Sequence, residues 1–87
     1  MDQHALDLLQ ALMALPTPTG FEHDGMALLS RYLKQAAVPN LAIDIHGNLR
    51  ACLNPDAPLR VMIEGHCDEI GFMVQYIDDD GFLYMCP

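Results

Sequence analysis

His66 and Asp68 stand two residues apart, just after Gly65 and at the end of the apolar run Val61-Met62-Ile63. In an extended backbone, residues i and i+2 project to the same side. His66 can then offer a ring nitrogen to a metal ion while Asp68 orients the ring from behind. A carboxylate in that position fixes the histidine tautomer and raises its basicity. This is the chemistry of one corner of a metal site. A catalytic zinc takes about three protein ligands, and no other convincing ligand cluster follows before the chain ends.

The neighbours of this pair have plainer readings. Alternation turns Cys67 away from His66, so the two cannot share a proton as nucleophile and base. Cys67 is then a thiol near the site, open to oxidation, and not a ligand. Glu64 shares the side of His66, and Glu69 is expected to make structural hydrogen bonds. His4 and His23 fall at helix starts, and His46 precedes a Gly-Asn turn. Asp78-Asp79-Asp80-Gly81 places its aspartates consecutively. A calcium loop needs oxygens at alternating positions and a later glutamate, so this stretch reads as a hairpin turn.

The elements that must position the pair follow from periodicity. Leu6, Leu9 and Met13, with Leu8, Leu12 and Leu15, recur at helical spacing between Asp2, a capping residue, and Pro16, a stop. This predicts a helix over 3–15. Pro16-Thr17-Pro18-Thr19-Gly20 is a stiff turn, and Thr19 with Glu22 has the capping-box spacing. A second helix is predicted over 21–37, with Met26, Leu29, Leu33 and Ala36 on one stripe. The period then changes to two. Leu41, Ile43 and Ile45, then Leu49, Ala51 and Leu53, flank Gly47-Asn48 as a hairpin. Arg60 to Glu64 reads as a central strand, apolar on both faces. Ile70 to Ile77 and Phe82 to Met85 make two more strands around the aspartate turn.

The chain has 87 residues, 52% of them hydrophobic, and a formal net charge of −8. That length bounds it to one small domain at most. The mean hydropathy of +0.15 is high for this size, which suggests surface to be covered by more protein and an N-terminal piece of something larger. The four basic residues, Arg31, Lys34, Arg50 and Arg60, do not cluster. Nucleic acid and anionic membranes are therefore poor partners. Three widely spaced cysteines form no disulfide framework, there is no signal-peptide pattern, and no apolar run approaches the about 18 residues of a membrane span. A cytoplasmic location is expected.

Three segments together resemble a known family. Pro18-Thr19-Gly20-Phe21-Glu22 is similar to the P-[ST]-G-x-E segment of the glutamyl-aminopeptidase family of metalloaminopeptidases. Asp44-Ile45-His46-Gly47-Asn48-Leu49 resembles its D-x-x-G-N-L hairpin. Gly65 to Val74, followed by Ile77-Asp78-Asp79-Asp80-Gly81-Phe82-Leu83, resembles its G-H-x-D-E-I-G-F-M-V and D-D-D-G-F-L marker. The resemblance implies an α/β fold: two N-terminal helices, then a mixed sheet, as the N-terminal part of a zinc-peptidase-like three-layer domain. Residues 1–87 would be the N-terminal portion of that catalytic domain. It implies removal of N-terminal residues from peptides with two divalent metal ions per subunit, zinc or cobalt, in a homo-oligomer. It makes His66 a metal ligand and Asp68 a catalytic or supporting residue. The bridging aspartate, the general-base glutamate and the other ligands would lie beyond residue 87, so this stretch alone is expected to be inactive. Cys67 departs from the family, where methionine or isoleucine is frequent. Two rival readings stand beside this one: a related metal-dependent deacylase or endoglucanase-labelled homologue, and a non-catalytic truncated interaction module.

Overall fold

A computed structural model describes residues 2–87. Helix α1 runs Gln3–Met13. The Asp2 carboxylate accepts the Ala5 amide at 2.8 Å, satisfying one of the free donors of the first turn. Pro16, which has no amide hydrogen, comes just after the helix ends. Helix α2 runs His23–Gln35. It ends with Ala37 in the left-handed region at φ 54°. Val38 N–H reaches Leu33 O and Ala37 N–H reaches Lys34 O, each at 3.0 Å. This is a Schellman cap, a role usually taken by glycine.

Two hairpins follow. Strand β1 (Ala42–Ile43) pairs antiparallel with β2 (Leu49–Arg50), and β3 (Met73–Ile77) pairs antiparallel with β4 (Leu83–Cys86). Both turns use one device. Asp44 Oδ1 accepts the amides of His46 and Asn48 at 2.9 and 3.0 Å. Asp78 Oδ1 accepts those of Asp80 and Phe82 at 3.1 and 2.9 Å. Gly47 and Gly81 close the loops at φ 88° and 87°, where a side chain would be strained. Asp78 therefore serves the turn, as its consecutive aspartates predict. In β3–β4 the register shifts between Val74 and Tyr76, and the rings of Tyr76 and Tyr84 meet across the strands at 5.6 Å.

The architecture is α/β, but the expected mixed sheet is replaced by two separate two-stranded antiparallel sheets. Residues 60–64, expected as a central strand, pair with nothing among the described residues, and Ile63 is 93% exposed. A run that is apolar on both faces needs strands on both edges and layers on both sides, and the described residues provide neither. The parallel contact that does exist is an isolated bridge between Pro18 and Glu69. Helix α1 packs on α2, and α2 touches β2, whereas β3–β4 packs against no other described element.

The chain is open. Its radius of gyration is 17.2 Å, against about 12 Å for a compact domain of this length. Its accessible surface is 7548 Å², against about 5,100 Å² for a folded protein of this mass. No hydrophobic side chain among the described residues is fully buried. None of the described helices is long and apolar enough to cross a membrane.

Candidate functional site

The loop after α1 and the segment 66–69 are stitched together. Glu69 N–H donates to Thr17 O at 2.8 Å. The Thr17 hydroxyl donates to Cys67 O at 2.9 Å, and Thr17 N–H makes a longer contact with Glu69 Oε1 at 3.4 Å. Thr17 is 3% exposed, the one buried polar residue described, and each of its polar groups is used. Two glycines permit the approach. A Cβ on Gly71 would lie 2.9 Å from Pro18 Cβ, and one on Gly25 would lie 3.0 Å from Thr17 Cγ2.

On this frame His66 and Asp68 meet as their spacing predicts. His66 Nδ1 and Asp68 Oδ1 are 2.7 Å apart. The other oxygen, Oδ2, accepts the Thr19 hydroxyl at 2.7 Å. The Thr19 hydroxyl first, and the imidazole second, hold the Asp68 carboxyl below the usual carboxylate range. An ionised carboxylate only accepts, so His66 Nδ1 must carry the hydrogen. In the neutral ring the lone pair then sits on Nε2. The His66 side chain is 84% exposed and that of Asp68 is 32% exposed. The imidazole is therefore open while the carboxylate behind it is partly covered.

The donor set fits one corner of a metal site. No group of three or more histidine, cysteine, aspartate or glutamate side chains among the described residues is placed to hold a metal. Glu64 flanks His66 on an open groove. A cleft of about 170 Å³ runs between α1 and the site, lined by Leu9, Leu12 and Met13 on one side and Cys67, Asp68 and Glu69 on the other.

Cys67 faces away from this corner, towards Gly25 of α2. Burial first, then the Glu22 and Asp68 charges, raises its pKa, and a protonated thiol is the unreactive form. His4, His23 and His46 are exposed away from the pair, and His23 contacts Asp24 at 3.2 Å.

Thr19 is the residue the sequence reading assigned elsewhere. The capping box does not form: Glu22 occupies the N-cap of α2 without a side-chain bond to the helix. Its Oε1 instead accepts the Gly20 amide at 2.7 Å, and Thr19 turns to Asp68. No local signal pointed to this role, because the spacing of Thr19 to Glu22 fits a capping box.

Residues 47–87, which contain the pair, match the family described as M42 glutamyl aminopeptidase. The chain is similar to lysyl aminopeptidase of Pyrococcus furiosus, 35% identical over 81 residues, 93% of this chain and 23% of that protein. It is also similar to a protein of Acetivibrio thermocellus provisionally named an aminopeptidase, 33% identical over 82 residues, 94% of this chain and 24% of that protein. FrvX of Escherichia coli, likewise provisionally named an aminopeptidase, is 35% identical over 78 residues, 90% of this chain and 21% of that protein. The chain thus spans under a quarter of the length of the curated relatives it matches. No solved structure matches it. The resemblance to the glutamyl-aminopeptidase family read from the three motifs is borne out.

Proposed function

We propose, from the likeness of this chain to the M42 glutamyl aminopeptidases, that the whole protein is a metal-dependent aminopeptidase. Residues 1–87 form the N-terminal portion of its catalytic domain, within a zinc-peptidase-like three-layer fold. The observation that supports this reading is the hydrogen-bonded pair His66–Asp68, lying within the segment that matches the family. A pair of divalent ions, zinc or cobalt, when bound, supplies a nucleophilic water near neutral pH and polarises the scissile carbonyl.

The hydrogen bonds of His66 and Asp68 support the following roles. His66 would hold one ion through Nε2, the nitrogen that its contact with Asp68 leaves free. Asp68 keeps the Nδ1 hydrogen in place, and its charge would offset the positive charge that coordination draws onto the ring. The general-base glutamate and the remaining ligands come from outside these residues. The substrate class is peptides with a free amino terminus, and the assembly is a homo-oligomer.

The test is release of amino acids from a panel of aminoacyl-p-nitroanilides by the whole encoded protein. It is run before chelation, after chelation, and after zinc or cobalt is restored, with His66→Ala alongside. Release should vanish on chelation, return with metal, and be absent in His66→Ala. Folded protein that releases nothing with any metal would refute the peptidase reading.

A further inference from the structure

We propose that Thr19 is a positioning residue: its hydroxyl fixes the Asp68 carboxylate, and through it the His66 ring, in the orientation from which Nε2 meets a divalent cation. The inference rests on the metal reading of His66 and extends it to a side chain 49 positions from Asp68.

A carboxylate held by one hydrogen bond keeps a broad, roughly two-fold freedom about its terminal torsion. Asp68 has one bond on each oxygen, at 2.7 Å to His66 and 2.7 Å to Thr19. Two contacts on opposite oxygens fix the plane of the group, and with it the direction in which the Nδ1–H bond points. Both distances are short, as expected when the acceptor is charged.

Thr19 is itself held by the backbone. Pro18 precedes it with a fixed φ, and Pro18 is bridged to Glu69. Gly20 follows at φ 88° and donates its amide to Glu22. The β-branch of threonine restricts its first torsion further. Thr17 ties the same loop to the Cys67 carbonyl, so the loop has an anchor that does not involve Asp68. The task left to Thr19 is to aim the carboxylate.

The experiment is zinc affinity of the whole encoded protein, measured by competition with a chromophoric chelator. Thr19→Val should weaken zinc by about 10-fold, the lower end of what loss of such a partner costs. Thr19→Ala, which lacks the β-branch, should do the same, and Thr19→Ser should stay within about twofold of the parent. In an Asp68→Ala background, Thr19→Val should add no more than about twofold, because it acts only through Asp68.

Thr19→Val and Thr19→Ala at parental affinity, with His66→Ala losing zinc, would overturn the role of Thr19 and leave the metal reading standing. Losses that multiply in the Asp68→Ala background would also overturn it, since Thr19 would then act on the loop alone. His66→Ala at parental affinity would remove both readings together.

Discussion

The two nitrogens of His66 have different fates, and that difference is the basis of the functional reading. Nδ1 is committed to Asp68 at 2.7 Å, and the rest of the side chain is open. Removing Asp68 frees the ring to rotate and to change tautomer. Asp68→Ala should therefore lower zinc affinity by about 10- to 100-fold, read by chelator competition, with His66 still present. An unchanged affinity would mean that the ring needs no orienting partner. This much of the site was legible in the sequence, because a spacing of two in an extended segment leaves few alternatives. Thr19 was not, because its local spacing to Glu22 satisfied a cap. Only tertiary structure decides between a local partner and one 49 residues away.

At the scale of elements, the helices and turns were readable and the sheet was not. Asp2, Pro16 and the leucine spacing place α1 to within two residues of its observed end. The Asp-x-x-Gly turns were readable because a local side chain and a left-handed glycine define them. The segment 60–64 failed because strand pairing is a property of neighbours, and the described residues hold none for it. Two predictions belong to this scale. Gly71→Ala places a Cβ 2.9 Å from Pro18 Cβ and must push the 17–19 loop off its partner. It should destabilise the whole protein by about 1–3 kcal/mol, the usual range for overpacking, and weaken zinc with it. Denaturant midpoints check the first effect, and a midpoint at or above the parent's would refute the close contact. Ala37→Gly removes a side chain from a left-handed position at φ 54°. It should stabilise by about 0.5–1 kcal/mol, and a loss of stability would mean that this helix end is not the Schellman cap described.

At the scale of the molecule, the surface is the informative quantity. The chain exposes 7548 Å², about 2,400 Å² more than a compact protein of its mass. The excess is rich in large apolar groups, with Ile70 at 99% and Ile63 at 93% exposed. Patches beyond a few hundred Å² rarely stay bare. The residues produced on their own should therefore bind a hydrophobic dye, self-associate on size exclusion, and release nothing from aminoacyl-p-nitroanilides. A monomer with a sharp cooperative unfolding transition would contradict that expectation. Composition already pointed this way, through a mean hydropathy of +0.15 in so short a chain. The sequence could not say which faces stay open, because that depends on how α1, α2 and the two hairpins pack.

The most direct measurement is an anomalous-scattering map of the whole protein crystallised with zinc. A zinc peak is expected about 2.0–2.1 Å from His66 Nε2, with Nδ1 still on Asp68 and Asp68 still on Thr19. A peak on Nδ1, or zinc bound elsewhere with His66 bare, would contradict that arrangement.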